Sequence, residues 1–402
     1  MMIKRFFLSA IFATFATGCA AQTVPTNRCV EAGTWYDPVR MAPVSTPEIL
    51  DRLKDLDVVL LGETHTTNDH HRWQLQVMSQ LYAAHPDMVL GFEAFPRSVQ
   101  PVLDKWVAGD LSEADFLKLS NWDTVWKFDA QLYMPLFHFA RLNQVPMIAL
   151  NVDRKFIRKV SQQGWNAIPQ SERLGLGQRA APSKDYLNML GQIYAQHGKD
   201  KKSAPTLKDP GFSGFVDVQV TWDQAMAQAI ATTLKAKKGA KMVAIVGRGH
   251  LEFNYGVPHQ LAALGVGKVA VLSPWDVDRP CSDLKNKNGQ SVANAVFGLA
   301  ENQDVQPSPG PKLGIMIEND KDGGGVLIGD VIKTSIAETS GLLKGDLLTM
   351  AASQPLKTTG DLIAIVKAMA PGTWLPLTLK RGTQTLEIVA HFPVTFKKPH
   401  HP

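Results

Sequence analysis

The chain has 402 residues, of which 45% are hydrophobic, and a formal net charge of +5 at pH 7. A chain of this length predicts two or more domains, each with a core of its own. Three cysteines without a Cys-x-x-Cys pair exclude a disulfide-rich scaffold and a zinc–thiolate site, and basic residues that are spread along the chain argue against a nucleic-acid surface.

Residues 1–21 have the pattern of a secretory signal. A basic start with Lys4 precedes an apolar stretch that is too short to span a bilayer, and small residues follow. Residues 16–19 resemble a bacterial lipobox, in which Cys19 becomes the lipidated first residue, and plain cleavage near Ala21 is the alternative. Either process predicts an exported protein, and a lipid on Cys19 would tether it to a membrane without a transmembrane helix.

If Cys19 carries lipid, Cys29 and Cys281 remain in an oxidising compartment that permits a disulfide. We hypothesise a Cys29–Cys281 bridge that ties the N-terminal segment to the end of the main domain. Two separate thiols are the alternative, and the sequence leaves both open.

Five short apolar runs alternate with helical patterns from Val58 onwards. This alternation predicts an α/β domain with a mostly parallel sheet flanked by helices. The predicted strands are residues 58–61, 88–92, 146–150, 241–246 and 269–272.

Polar side chains follow four of these strands, at the edge of an open parallel sheet where ligands collect. Two Gly-x-x-His motifs, residues 62–65 and 247–250, each direct a histidine over that edge because glycine lets the backbone turn sharply. Each residue alone is more often a helix cap or a hydrogen-bonded structural side chain, but their recurrence favours a site. The residues at this edge are Glu63, His65, Glu93, Asn151, Arg248 and His250.

Six ordered motifs carry a resemblance to a known family. They are GETH, FEAFPR, NWDTVW, PMIALNVD, QVTWDQAMA and GRGH, and the resemblance that they carry covers residues 58–274. Together they resemble the ChaN family of haem-binding, iron-regulated lipoproteins, within a wider group that includes Tiki metalloproteases and erythromycin-esterase-like proteins. The resemblance implies a helical insert before the last strands, haem as the cofactor, and a homodimer that pairs two haems face to face.

The haem ligand is expected in the helical insert. A tyrosinate suits ferric iron, and Tyr194 and His197 lie three residues apart, so that they share one helix face. A surface helix with a packed tyrosine and a solvated histidine is the alternative. Tyr255, beside the second Gly-x-x-His motif, is the next candidate.

The same edge also permits hydrolysis, which the resemblance to Tiki-like and esterase-like proteins implies. Glu63, His65, Glu93 and His250 are the candidate catalytic residues, with Glu63, His65 and His250 as ligands of a divalent metal ion that activates water. Without metal, a histidine oriented by a carboxylate could act as a general base. The sequence has neither HExxH nor GxSxG, so it favours a non-enzymatic role and leaves a metal-dependent hydrolase as the alternative.

Residues 301–311 are rich in proline and predict a linker, and residues 312–396 resemble a PDZ domain, a small β-rich α+β fold. Leu313, Gly314 and Ile315 match the loop and strand that receive a peptide carboxylate, and residues 337–346 and 359–369 match the later segments. The implied partner is a C-terminal peptide or an exposed strand of an envelope protein. A PDZ domain used only for packing or dimerisation is the alternative.

The sequence thus predicts a signal segment (1–21), a ChaN-like haem-binding domain (30–300), a linker (301–311) and a PDZ domain (312–396). We expect a cell-envelope protein, periplasmic and held to the outer membrane by lipid, that serves iron uptake or haem handling. Three classes stay open: a haem carrier, a metal-dependent hydrolase, and a scaffold that has lost its ligand.

Overall fold

A computed structural model describes residues 28–197, 205–300, 311–320 and 324–394. The chain divides into two compact units, Met1–Glu301 and Asn302–Pro402. The predicted signal segment with Cys19, and residues 301–310 of the predicted linker, lie outside the described ranges. Within those ranges, no helix combines the length and the hydropathy that crossing a bilayer requires.

The first unit is built on one eight-stranded sheet. Its strands are β1 (Trp35–Asp37), β2 (Ala42–Val44), β3 (Val58–Glu63), β4 (Val89–Pro96), β5 (Met147–Asn151), β6 (Met242–Gly247), β7 (Val269–Asp276) and β8 (Ala295–Leu299). They follow the order β2-β1-β8-β7-β3-β6-β4-β5, in which β1 is antiparallel to both of its neighbours, β2 and β8, and every other pair is parallel. The predicted, mostly parallel α/β sheet is confirmed, and β1, β2 and β8 are additional strands that extend it on one side, with β2 at the edge.

The central strands are apolar on both faces because helices cover both. In β3, Val59 and Leu61 pack into one hydrophobic cluster, while Val58 and Leu60 pack into the cluster on the opposite face. This alternation is the two-residue period of a strand. It explains why the run has no polar residue before Glu63.

Ten helices are described in this unit. They are α1 (Thr46–Leu53), α2 (Asn68–Ala84), α3 (Gln100–Ala108), α4 (Glu113–Leu119), α5 (Trp122–Val125), α6 (Ala130–Leu142), α7 (Arg154–Gln163), α8 (Lys184–His197), α9 (Pro210–Ala236) and α10 (Val257–Ala263). Trp73 of α2 and Phe137 of α6 belong to one cluster, and Met226 of α9 and Leu261 of α10 belong to the other. The helices α7, α8 and α9 lie between β5 and β6, where the helical insert was predicted.

A disulfide and a buried lysine link the sheet to neighbouring segments of the chain. Cys29 and Cys281 form a disulfide with their Cα atoms 5.7 Å apart, which joins the segment before β1 to the segment after β7. Lys241, only 4% exposed, precedes β6, and its Nζ donates to the carbonyl oxygens of Leu53 at 2.7 Å and Lys54 at 3.3 Å. This ammonium caps the end of α1, whose last carbonyl groups have no partner within the helix.

The second unit is an antiparallel β structure with two short helices. Its elements are β9 (Ile315–Asn319), β10 (Val326–Val331), α11 (Ile336–Thr339), β11 (Leu347–Ala351), β12 (Gln354–Pro355), α12 (Thr359–Lys367), β13 (Trp374–Arg381) and β14 (Gln384–His391). The sheet order is β14-β13-β11-β10-β9, with β12 paired to β11. A capping box between Thr358 and Asp361 begins α12.

Candidate functional site

A cavity of about 860 Å³ lies beside the carboxyl ends of the central strands. Both motif histidines, His65 and His250, line it together with Glu93. The aromatic side chains of Trp126, Phe128 and Trp222 form part of the cavity wall. The structure therefore brings residues that lie far apart in the sequence to one rim.

Glu63 ends β3 directly opposite Gly247 of the neighbouring strand β6. One carboxylate oxygen, Oε1, contacts Nδ1 of His65 and lies 3.4 Å from the hydroxyl of Tyr133. The other oxygen, Oε2, is buried and has no hydrogen-bond partner among the described residues. A buried carboxylate oxygen without a donor is costly, so this atom fits a position that a cation can satisfy.

Glu93 does not follow its strand, and the prediction that the strand ends there is wrong. β4 continues to Pro96, and its pairing with β5 shifts register between Phe92 and Pro96. Irregularities of this kind are common beside active sites, where they change the direction of a side chain. Oε2 of Glu93 accepts a hydrogen bond from the backbone N–H of Gly247 at 2.7 Å, and Oε1 lies 3.7 Å from Nε2 of His250.

Gly247 has no room for a side chain. A Cβ atom built there would lie 2.9 Å from Cε1 of His65 and 3.4 Å from Oε2 of Glu93. The first glycine of the second Gly-x-x-His motif therefore makes space for the histidine of the first motif.

Asp223 holds His250. Nδ1 of His250 lies 2.7 Å from one oxygen of Asp223, whose other oxygen accepts a hydrogen bond of 2.7 Å from the hydroxyl of Tyr186. Asp223 is fully buried in the middle of α9. A carboxylate on Nδ1 leaves Nε2 free for the site, as in many metal-binding and catalytic histidines.

Sequence reasoning missed both Asp223 and Tyr186. The available signal was the acidic residue of the QVTWDQAMA motif, which is the only charged residue between Asp217 and Lys235.

The acidic surroundings favour charged imidazoles. Burial by itself would lower the pKa of His250, but the negative charges of Asp223 and Glu93 raise it to about 9. Burial likewise opposes the charge on His65, yet the hydrogen bond to Glu63 and the charge of Glu93 raise its pKa. Burial raises the pKa of Tyr133, so its hydroxyl stays a neutral donor beside Glu63.

Glu63, His65 and Glu93 could hold a divalent metal ion, because one ligand atom from each lies within 4.8 Å of the others. His250, predicted from the sequence as a metal ligand, is placed next to this group through its 3.7 Å approach to Glu93. A metal ion bound there would lower the pKa of a coordinated water molecule.

The residues predicted to bind haem lie elsewhere on the unit. Tyr194 on α8 is half-buried and packs against Phe212 and Phe215, each with a ring-centroid distance of 5.5 Å. It is not part of the lining of the 860 Å³ cavity. His197 is the last residue of α8, and its side chain falls outside the described part of the chain. Tyr255 is buried, and its hydroxyl accepts a hydrogen bond from the side-chain amide of Asn286 at 2.6 Å.

The second unit carries an apolar groove of about 350 Å³. Leu313, Gly314 and Ile315 line it on one side, with Leu362 and Val366 of α12. Gly314 adopts a φ of +81°, and a Cβ there would lie 2.3 Å from Cβ of Ser335. The loop before β9 therefore requires glycine at this position.

Comparison with known proteins identifies both units. A family model described as haem-binding uptake, Tiki superfamily, ChaN matches residues 49–261, and a PDZ domain model matches residues 311–390.

Individual relatives are distant. The protein RETICULATA-RELATED 5 of Arabidopsis thaliana, described as chloroplastic, is 23% identical over 281 residues, which is 66% of this chain and 37% of that protein. The serine protease PepD of Mycobacterium tuberculosis is 32% identical over 79 residues, which is 19% of this chain and 17% of that protein. The chain thus spans well under half the length of these relatives.

Among solved structures, that of cofacial haem binding to ChaN of Campylobacter jejuni is similar over 66% of this chain and 98% of its own, with 16% identity and a TM-score of 0.49.

Because the ChaN model matches more than half of the 402 residues, the chain belongs to the haem-binding ChaN family of the Tiki superfamily, and its second unit is a PDZ domain.

Proposed function

We propose that this protein binds haem in the cavity at the edge of its central sheet and serves haem handling or iron uptake. The cavity carries the proposal. Its volume of about 860 Å³ falls within the range of about 300–1,000 Å³ for small-molecule sites, and Trp126, Phe128 and Trp222 offer flat apolar wall. His65 and His250 offer imidazole nitrogens on the same rim. Haem supplies an iron centre that accepts such a ligand.

A haem titration of the full-length protein tests the proposal. We expect a Soret band that saturates at a defined stoichiometry, and the absence of any Soret shift would refute haem binding. Two variants distinguish the ligand. Loss of the band in His65→Gln places the iron in the cavity, whereas loss in Tyr194→Phe places it on α8. Sedimentation of the same samples tests the proposed haem-linked homodimer.

We infer that the protein is exported and anchored by lipid on Cys19. The signal pattern supports this, and the Cys29–Cys281 disulfide suits an oxidising compartment such as the periplasm. Metabolic labelling with a fatty acid should mark the wild-type protein and not Cys19→Ser. Equal labelling of the two proteins would place the lipid elsewhere, and no labelling of either would rule out the anchor.

A second function, metal-dependent hydrolysis, is favoured by one specific observation. Oε2 of Glu63 is buried without a partner, beside His65 and Glu93. A divalent ion would satisfy this oxygen. His250, which Asp223 orients, would accept or donate a proton at Nε2. We expect bound metal by elemental analysis, and peptidase or esterase activity that His65→Ala abolishes. Protein that stays metal-free after incubation with zinc, manganese or cobalt would exclude this role.

We propose that the PDZ domain binds the C-terminal peptide of an envelope protein. The apolar groove between the loop at Gly314 and the helix α12 supports this, because such grooves add an extended chain as a strand and enclose its carboxylate. Fluorescence anisotropy with peptides of apolar C-terminal residues should show binding of the free acid and not of the C-terminal amide. Equal binding of the acid and the amide would show that the groove adds the peptide as a strand and does not recognise its carboxylate.

A further inference from the structure

Three polar side chains near the start of α2 are buried. His70, His71 and Gln74 are each at most 2% exposed, although the helix also packs Trp73 and Val77 into the core. A buried polar group is costly unless it is hydrogen-bonded, so the partners of these side chains indicate what they do. Each of the three has a partner among the backbone groups of residues 61–65, which form the end of β3 and the first Gly-x-x-His motif.

Two of these side chains contact the end of β3 and the histidine that follows it. The pairing of β3 with β7 stops at Leu61, whereas its pairing with β6 continues for two more residues. At this point Nε2 of Gln74 donates to the carbonyl oxygens of Leu61 and Gly62, both at 3.1 Å. Nε2 of His71 lies 3.3 Å from the carbonyl oxygen of His65. The start of α2 therefore contacts the backbone on both sides of the motif's turn.

His70 joins the same turn to a second strand. Its Nδ1 accepts a hydrogen bond of 2.9 Å from the backbone N–H of Thr64. Because Nδ1 is an acceptor, the ring proton is on Nε2, which donates to Oδ1 of Asp276 at 3.2 Å, at the end of β7. The other oxygen of Asp276 lies 3.7 Å from Nη1 of Arg248. A chain of contacts thus runs from the first motif through β7 to the second motif.

Thr64 lies between Glu63 and His65, and both of these neighbours belong to the candidate site. We propose that His70 is a positioning residue, which holds the turn of the first motif against β7 so that Glu63 and His65 keep their places in the site. A buried ring with a partner at each nitrogen is fixed in orientation, and supporting residues of this kind direct the side chains that meet a ligand. The consequence for haem rests on the proposed function, whereas the holding of the turn does not.

Variants that keep one of the two contacts test this role. In His70→Asn, Oδ1 lies about where Nδ1 of the ring was and can accept from Thr64. In His70→Gln, the amide nitrogen lies about where Nε2 of the ring was and can donate to Asp276, and His70→Leu removes both contacts. Leu81→Ala is the control, because it removes a buried apolar side chain from the same helix and should lower stability without changing a hydrogen bond to the motif.

The first measurements use the haem-free, full-length protein. We expect the amide hydrogen of Thr64 to exchange slowly in the wild type and in His70→Asn. In His70→Gln and His70→Leu it should exchange about tenfold faster, since one hydrogen bond is lost there. The imidazole NMR signals of His65 should move in His70→Leu and stay in place in Leu81→Ala.

Haem titration then measures the consequence for the ligand. His70→Leu should weaken haem binding by about ten- to hundredfold, as for other residues that orient a ligand-contacting side chain, and should shift the Soret maximum of the bound haem. His70→Asn should lose less affinity than His70→Leu, because it keeps the contact with Thr64. Leu81→Ala should bind haem with the Kd and the Soret maximum of the wild type.

Every other outcome counts against a stated part of this reasoning. Thr64 exchange that is equal in all variants would overturn the role of His70. Faster exchange with unmoved His65 signals and unchanged haem binding would show that His70 holds the turn without positioning the site. If Leu81→Ala lost as much haem affinity as His70→Leu, the effect would be one of stability, which thermal unfolding of each variant measures. Wild-type protein that binds no haem would refute the proposed function, and the haem-free signals of Thr64 and His65 would still decide the role of His70.

Discussion

Replacing Asp223 by asparagine tests how His250 is held in the cavity wall. Asparagine has nearly the same size, and its Oδ1 can still accept the hydrogen bond that now joins Asp223 to Nδ1 of His250 over 2.7 Å. The substitution therefore removes a negative charge and keeps the ring in place. Burial lowers the pKa of His250, and the variant lacks the charge of Asp223 that counteracts this effect. We therefore expect the pKa of His250 to fall from its value of about 9.

The magnitude follows from linkage between protonation and folding. A pKa of about 9 in the folded protein, against an ordinary value of 6.5, corresponds to about 3 kcal/mol at about 1.4 kcal/mol per pH unit. Because the folded pKa is raised, this stabilisation is complete below pH 6.5 and is lost as the pH rises through about 9. Asp223→Asn should lower the free energy of unfolding by up to about 3 kcal/mol near pH 6 and much less near pH 10.

Two measurements on chelator-treated protein check this. The imidazole NMR signals of His250 give its titration midpoint in the wild type and in Asp223→Asn, and urea unfolding at both pH values gives the change in stability. An unchanged midpoint in Asp223→Asn would refute the electrostatic role of Asp223. A loss of stability of the same size at both pH values would show that the carboxylate acts through packing instead.

Three further changes have defined expectations. Lys241→Met removes the donor that caps α1 and leaves buried carbonyl groups unsatisfied, so urea unfolding should show a loss of about 3 kcal/mol. Cys29→Ser opens a disulfide to Cys281 that spans 252 residues, and chain entropy then predicts a loss of at most about 5 kcal/mol, measured as a lower thermal midpoint that reductant does not lower further. Gly314→Ala forces a Cβ to within 2.3 Å of Ser335, so peptide anisotropy should report loss of binding by the PDZ domain, and retained affinity would show that the loop can shift.

The central strands could be predicted because each is a short run of branched apolar residues buried on both faces, as in β3 and β6. The short strands β1 and β2 could not, because three residues are too few to show a period. Their place in the sheet depends on pairing with β8, which comes more than 250 residues later and has no local signal in the sequence around β1.

The candidate site was predictable in the same uneven way. His65 and His250 follow apolar strands and glycines, and these local features mark them in the sequence. Asp223 and Tyr186 lie inside helices, where polarity usually indicates a solvent-facing position, and only the packing of α9 beside His250 makes them buried partners of the imidazole. The shift in register around Glu93 depends on the pairing of two strands, which the sequence of either strand alone does not contain.

The tight fit between Gly247 and His65 restricts the evolutionary routes open to this fold. A mutation that gives residue 247 a side chain is tolerated only in a lineage whose residue 65 has already become smaller or turned away. The reverse order passes through a protein that cannot seat its first histidine. Descendants that abandon the site should therefore lose the imidazole at residue 65 first and the glycine at residue 247 afterwards. Among related proteins without the site, we then expect some that keep the glycine and lack the histidine, and none that keep the histidine and lack the glycine.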